Sequence, residues 1–596
     1  MNIQDFWSGN AFDAYTYFGA NKEQDGIRFR VFAPSARDVK LIGDFNSWQE
    51  QDMQREQGGF FTAFLTNAKV GMKYKYVVYG CNGQRVEHCD PYGFQMELRP
   101  ASASIITDLD NYTFHDEAWL EYRSVCHDLP LNIYEVHLGS WMRKTFEENK
   151  WHTYDELADL LIPYVKKNHY THIEFMPLSE HPFDGSWGYQ NTGFYAPTSR
   201  YGTPEQLKYL IDKCHENYIG VILDFVPVHF AVDDYGLKMF DGSALYEYPN
   251  SDVGQSEWGS CNFMHSRGEV RCFLQSCANY WIKEFHIDGI RMDAVSRLIY
   301  WQGDERRGVN GSTVSFIRTM NGGLRKMYPS VMLIAEDSSQ YQGTTKPVDE
   351  GGLGFDYKWD LGWMHDTLEY FALDPKDRTD NYHRLTFSMV YFYNERHLLP
   401  FSHDEVVHGK GTILEKMYGS DEDKFKQLRT LYMYMAVHPG KMLNFMGNEL
   451  AQREEWSEKK EISWDLLSDS KHAQFHDYIA ILNRIFLENR AFHCDDDPKN
   501  FEWLDCDSTE KCIYTIRRCA DKSAFVAVFN MSDKAQSYEL LTDEPLTLEL
   551  TLHTEWQRFG GEKQEGYERY DAQPKEEKYC TELYCMPYSS MLFKVL

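Results

Sequence analysis

Nothing in this sequence announces a nucleotide. It has no GxxxxGK[ST] and no GxGxxG, so neither a P-loop nor a dinucleotide fold is indicated. Gly409-Lys410 lacks an upstream glycine at P-loop spacing. The 13 cysteines form no CxxC pair and no metal-ligand spacing. In so large a chain they read as reduced thiols, which sets a cytoplasmic location as the expectation. No apolar stretch is long enough to span a bilayer. The start, Met1-Asn2-Ile3-Gln4-Asp5-Phe6-Trp7, has no basic region followed by an apolar run, so no signal peptide is expected. Positive charge is scarce: 61 Lys and Arg against 91 Asp and Glu give a formal net charge of -30. That argues against nucleic acid or an anionic membrane as partner, since both select basic surfaces. A neutral substrate is compatible. Internal repeats and low-complexity stretches are also missing.

What is present is a long, aromatic-rich chain. Its 596 residues are too many for one core, and two to four domains are expected. The aromatic share is 15%, with 15 Trp and 40 Tyr. Aromatic faces suit sugar rings, although aromatics serve equally as core.

Residues 14–107 have an all-β pattern. Gly26 to Phe32 alternates with period two, and Val39 to Gly43, Gly59 to Phe64 and Tyr74 to Tyr79 follow at sandwich-like spacing. The turn Gly43-Asp44-Phe45-Asn46-Ser47-Trp48 carries two aromatics. Sugar binding and a purely structural spacer are both open for this unit. Phe114 to Asp128 is charged and is expected to be a helical linker. The first domain is accordingly 1–127.

From Asn132 apolar strands alternate with amphipathic helices. Ile133 to Leu138, Thr171 to Met176, Gly220 to Val226, the stretch through Asp293, and Val331 to Glu336 are strand candidates. Leu353 to Lys358, Leu398 to His403 and Lys441 to Met446 complete eight. Thr153 and Thr203-Pro204-Glu205 are helix starts, with a cap residue ahead of the first turn. Gly220 to Val226 is almost continuously apolar, as parallel sheets require. Eight βα units over about 360 residues are the pattern of a (β/α)8 barrel, residues 128–489. After Asn489 strands return (Ile513 to Arg517, Ala524 to Asn530, Ser589 to Val595), giving a C-terminal all-β domain, 490–596. The fold class is therefore α/β: a barrel flanked by two β domains.

In such a barrel, catalytic groups sit at the C-terminal strand ends. Strand three ends in Asp224-Phe225-Val226-Pro227-Val228-His229-Phe230 and strand four in Arg291-Met292-Asp293. Strand five ends in Ala335-Glu336-Asp337, and strand seven in Ser402-His403-Asp404-Glu405. Arg291 and Asp293 are two apart, so on a strand they share a face. A cation there favours the ionised carboxylate, as a covalent nucleophile needs. A buried structural Arg–Asp pair is the other reading of that stretch alone. Two carboxylates of different ionisation state are the minimum for glycosidic bond chemistry. Asp293 fits the charged one. Glu336, after an apolar run and with no basic sequence neighbour, fits the protonated acid. Asp404 suits gripping ring hydroxyls, and His229 and His403 suit donating to them. A metal is the rival for a His–carboxylate cluster, but His403-Asp404-Glu405-Val406-Val407-His408 is not HExxH, and no metal is expected.

These four segments, DFVPVHF, GIRMDAV, AEDSS and FSHDE, resemble the four sequence regions of the α-amylase family of glycoside hydrolases. Glu180 to Gln190, Gly354 to Asp366 and Phe445 to Glu449 are similar to stretches of its branching-enzyme subgroup. The resemblance extends over nearly the whole chain, with an N-terminal glycogen-binding-type module. It implies Asp293 as nucleophile, Glu336 as acid/base and Asp404 as transition-state stabiliser. Asp224, His229, Arg291 and His403 would shape the sugar subsite, and Tyr189 would stack on the sugar. The implied reaction cleaves α-1,4-glucan and transfers the chain to a 6-hydroxyl, without a cofactor. The expected partner is α-glucan, such as glycogen or amylose-like chains, and the expected state is a monomer. A hydrolase on the same scaffold, debranching or maltooligosyl-trehalose-cleaving, is the alternative, and a non-catalytic glucan-binding protein a further one. Two departures stand out. Asn191 occupies a position where proline is expected, a change read as silent. The segment Arg297 to Thr313 is short and lies at the mouth of the site. Ala231 to Cys261 is short too, so the calcium common in amylases is not assumed.

Overall fold

A computed structural model describes every residue except Cys126, Phe146 and Glu148. Eight strands follow one another in chain order and close into a barrel. They are β1 (Asn132–Val136), β2 (His172–Phe175), β3 (Gly220–Phe225), β4 (Gly289–Met292), β5 (Met332–Ala335), β6 (Tyr357–Trp359), β7 (His397–Phe401) and β8 (Lys441–Phe445). Pairing is parallel at β3–β4, β4–β5, β6–β7, β7–β8 and β8–β1. The sixth strand begins at Tyr357, later than the apolar pattern suggests, and has only three residues. The longer helices are α1 (Tyr154–Lys167), α2 (Pro204–Glu216), α3 (Gly268–Phe285), α4 (Gly311–Met327), α5 (Leu361–Ala372), α6 (Asp421–Val437) and α7 (Ser470–Glu488). Thr203 caps α2 through a reciprocal bond pair with Gln206, and Pro204 sits at its first turn, where no N–H partner is needed.

By density of contacts the chain forms two compact units. The first comprises 1–125, 137–162 and 174–356. Its N-terminal part is a β-sandwich. One sheet has Gly19–Glu23, Gly26–Phe32, Phe60–Leu65 and Gln54–Arg55 in that order. The other is built on Asp38–Gly43 and Lys73–Tyr79. A short helix, Ile3–Ser8, precedes it, which the sequence pattern did not indicate. The expected linker helix is shorter than its charged segment, Glu117–Tyr122.

Helix α3 is buried around most of its circumference, and the N-terminal segment packs against it. Tyr15 N–H donates to Ser276 Oγ at 3.0 Å, and Gln275 Nε2 to the carbonyls of Gly9 and Ala11 at 3.0 Å. Gly268 permits this approach, since a Cβ there would lie 2.1 Å from the Trp7 carbonyl oxygen.

The second unit comprises 126–136, 163–173 and 357–596. Its C-terminal β domain has a six-stranded and a three-stranded sheet. Buried arginines fasten it to helices of the same unit. Arg429 of α6 donates to the Phe559 carbonyl and pairs with Glu555, and Arg518 donates to the Val437 carbonyl and to Asp495. No helix among the described residues is long and apolar enough to cross a membrane.

A buried ionic knot lies just ahead of β4. Asp288 accepts from Trp119 Nε1 (2.8 Å), Arg123 Nη1 (2.8 Å) and the Val221 N–H (2.7 Å), and meets His215 Nε2 at 2.9 Å. His215 Nδ1 meets Asp116 at 2.7 Å. Burial works against the imidazolium, but Asp288 and Asp116 outweigh it and raise His215 to about 9. Burial likewise opposes the two carboxylates, and their cationic partners still hold both well below the usual range. A raised imidazole stabilises the fold fully below its unfolded value of 6.5 and loses that contribution as pH climbs through about 9. We predict that unfolding free energy declines from pH 6.5 to pH 9 and above. His215→Gln flattens that decline and lowers stability at pH 6 by about 3 kcal/mol. Denaturant titrations at several pH values check this, and equal slopes for both proteins contradict it.

Candidate active site

The register of three neighbouring strands of the first unit places Asp224, Arg291, Asp293 and Glu336. Asp224 of β3 lies opposite Arg291 of β4, and Arg291 opposite Ile334 of β5. Beyond the strands the ladder continues for one more residue. Asp293 N–H bonds the Phe225 carbonyl and Glu336 N–H the Met292 carbonyl, both at 3.0 Å. The Val295 N–H then returns to the Glu336 carbonyl at 2.8 Å. Asp293 and Glu336 are therefore fixed by backbone bonds at the C-terminal tips of β4 and β5.

The guanidinium of Arg291 is buried and sits among carboxylates. Its Nη1 donates to both oxygens of Asp224 at 2.7 Å and to Asp293 Oδ1 at 2.9 Å, and Nη2 lies 3.9 Å from Glu336 Oε2. Glu336 Oε2 also accepts the Ala294 N–H at 2.6 Å. The surroundings of Glu336 thus differ from the sequence expectation. It has no basic neighbour in the chain, but a cation and a backbone donor reach it in space. Asp293 and Glu336 are open to solvent by only 14% and 19%. Tyr189 donates its hydroxyl to Asp224 at 2.6 Å, and its ring centroid lies 5.9 Å from the Arg291 guanidinium carbon. His229 is buried, and its Nδ1 meets Ser260 Oγ at 2.8 Å. Burial, and next the charge of Arg297, lower its pKa to about 4, so the ring is neutral at pH 7.

The second unit places His403 and Asp404 directly after β7. The buried Glu135 of β1 accepts the His403 backbone N–H at 2.9 Å and faces its Nδ1 at 2.6 Å. A proton on Nδ1 leaves Nε2 turned to Asp404, 3.3 Å away. Asp404 is 52% exposed. Glu135 was visible in the sequence only as a polar residue inside an apolar strand, which gave no hint of its partner.

The loop carrying Tyr189 is held at both ends. At its base Arg200 Nη1 donates to Glu180 at 2.8 Å, and Arg200 Nη2 and Arg99 Nε donate to Asp184 at 2.7 and 2.8 Å. Burial opposes the Asp184 anion, but Arg99 and Arg200 prevail and hold it at about 2. Beside Tyr189, Gly188 has φ +93°, and a Cβ there would approach the Pro177 carbonyl oxygen to 2.4 Å. Asn191 is not a silent change. It is buried, its Nδ2 donates to the Gly188 carbonyl at 2.7 Å, and its own carbonyl accepts the Ala231 N–H at 3.0 Å. A proline has no side-chain donor with which to close that clasp.

Among the described residues one His–carboxylate set, His115, Asp212 and Glu216, has donor atoms within 4.8 Å of one another. It lies on α2 and the segment ahead of β1. Asp212 already accepts from Tyr112 and His115 there.

Fold and site together define a class, the barrel enzymes of the α-amylase type with an accessory carbohydrate module. Residues 17–93 match carbohydrate-binding module 48 (isoamylase N-terminal domain), and 157–252 match the alpha amylase catalytic domain. The chain is 44% identical over 583 residues, 96% of its length, to the 1,4-alpha-glucan branching enzyme GlgB of Fusobacterium nucleatum subsp. nucleatum, covering 95% of that relative. It is 45% identical to the GlgB of Desulfitobacterium hafniense, over 86% of this chain and 83% of that one. The chain belongs to the 1,4-alpha-glucan branching enzyme GlgB family. Solved structures share the fold at lower identity. A pullulanase from Anoxybacillus sp. superimposes with a TM-score of 0.77 at 16% identity, covering 99% of this chain and 89% of that one. A putative alpha amylase from Salmonella typhimurium gives 0.74 at 16%, covering 97% and 99%.

Asn191→Ala removes one buried side-chain bond and leaves the Gly188 carbonyl unpaired. It is expected to lower stability by about 1 kcal/mol. Denaturant midpoints compare the two proteins, and coincident curves mean the clasp contributes nothing.

Proposed function

We propose that the chain is a 1,4-α-glucan branching transglycosylase of glycogen biosynthesis, acting by a retaining double displacement. The observation that carries this reading is the sharing of one buried cation, Arg291, by Asp224, Asp293 and Glu336. One positive charge does not neutralise three carboxylates, so close like charges favour protonation of one of them. Of the three, Glu336 lies farthest from Arg291, at 3.9 Å, which favours it as the acid. Asp293, in direct contact with the guanidinium, stays ionised and serves as nucleophile.

In the first step an Asp293 oxygen bonds to the anomeric carbon as the α-1,4 bond breaks. The Glu336 proton passes to the departing 4-oxygen. In the second step Glu336 takes the proton of a glucan 6-hydroxyl, whose oxygen displaces Asp293. Two inversions retain the α configuration. Asp404 stabilises the oxocarbenium-like transition state. His403, oriented by Glu135, and the neutral His229 hydrogen-bond ring hydroxyls. Asp224 and Arg291 complete the subsite, and Tyr189, braced by Asp224, offers its ring to the sugar. No cofactor takes part in this scheme. The partner is α-glucan, met by a monomer in the cytoplasm, where buried thiols such as Cys214 and Cys277 persist. The working modules are 1–127, 128–489 and 490–596. A hydrolase of α-1,4 bonds on this scaffold differs in the acceptor, water in place of the 6-hydroxyl.

Asp293→Ala and Glu336→Gln each lower turnover by at least about a thousandfold while glucan binding persists. Glu336→Gln with a maltooligosaccharide carrying a good leaving group accumulates a glycosyl ester on the Asp293 peptide, visible by mass spectrometry. Substantial turnover in either variant, or an adduct on another residue, overturns the assignment.

A further inference from the structure

Trp258 is one of the few tryptophans with a large exposed surface, 45%, and it stands next to residues assigned above to the sugar. Its ring centroid is 5.1 Å from the His229 ring and 5.0 Å from the Arg297 guanidinium carbon. Its carbonyl accepts from Gln190 Nε2 at 3.1 Å, so its main chain is bonded to the residue after Tyr189. Its N–H donates to Ser256 Oγ at 3.2 Å. Ser256 Oγ contacts Ser260 Oγ at 2.5 Å, and Ser260 reaches His229 Nδ1. One hydrogen-bonded chain thus connects the Tyr189 loop, Trp258 and His229.

The ring is also braced from the other loop. Arg297 donates to the Gln302 carbonyl at 2.6 Å and pairs with Glu257, while Gln302 Nε2 donates to the Asp252 carbonyl at 2.7 Å. Trp258, Arg297 and Trp301 also line a recess beside the ring, and 45% of the tryptophan stays open to solvent. Leaving a large apolar ring exposed forgoes the stabilisation burial would give, and main-chain bonds and the Arg297 guanidinium hold this one in place. A rigid, solvent-facing indole with hydroxyl-binding groups beside it suits the apolar face of a glucose unit.

We propose that Trp258 is a binding platform for a further glucose unit of the glucan chain, and so a determinant of transferred chain length. This rests on the functional reading above. The two loops, 231–261 and 297–313, carry and brace the platform, which ties their conformation to the chain the enzyme selects.

The test compares the full chain with Trp258→Ala and Trp258→Phe. KM for amylose and the lengths of transferred branches, read after enzymatic debranching, are measured with thermal melts. Trp258→Ala is expected to raise KM about tenfold and to shift the branch-length profile, while Trp258→Phe recovers most of both. Unaltered KM and profile in Trp258→Ala overturn the proposal. So does a Phe variant that melts like wild type and binds no better than Ala. If the wild-type chain makes no branches, the functional reading fails by itself. Calorimetric binding of maltoheptaose to the same three proteins then decides the platform, equal affinities overturning it.

Discussion

The site depends on one buried guanidinium. Arg291 is almost inaccessible to solvent and contacts Asp224 and Asp293 directly, with Glu336 at 3.9 Å. A buried cation is tolerated only when paired and hydrogen-bonded, so Arg291 requires carboxylates, and β3 and β4 supply them at matched register. The proposed division of labour between nucleophile and acid rests on the same cation, which touches Asp293 directly and Glu336 only at 3.9 Å.

Everything around that charge is arranged to keep its partners from moving. Backbone bonds continue past the strand ends to hold Asp293 and Glu336. Tyr189 is tied to Asp224, and its loop is anchored by Asn191 on one side and by Arg99, Arg200, Glu180 and Asp184 on the other. Arg99 lies between the strands Arg85–His88 and Ser104–Ile105 of the N-terminal sandwich, so that module contributes to the loop's geometry whether or not it binds glucan itself. Ahead of β4, the knot around Asp288 fixes the other end of the strand.

Much of this was legible in the sequence. Near-continuous apolar runs marked the parallel strands, and polar residues directly after them marked the strand tips, because both signals are local. The sixth strand was blurred because three residues, Tyr357–Trp359, carry too little periodicity. Residues whose meaning depends on a distant partner were not legible. Glu135 sits inside an apolar strand and acts only through His403, 268 residues away. Asn191 read as a harmless replacement because its bond to Gly188 exists only in the folded loop. Glu336 appeared free of cations because Arg291 lies 45 positions earlier and reaches it only across neighbouring strands. Trp258 was one aromatic among many until its exposure and its neighbours were known.

A branching enzyme passes the cleaved chain to a sugar hydroxyl and not to water. Incubating the purified chain with amylose, while following iodine absorbance and reducing ends together, separates the two acceptors. With a sugar acceptor, absorbance falls while reducing ends stay level, and a debranching enzyme then releases new ends. Reducing ends that rise in step with the loss of colour make the protein a hydrolase.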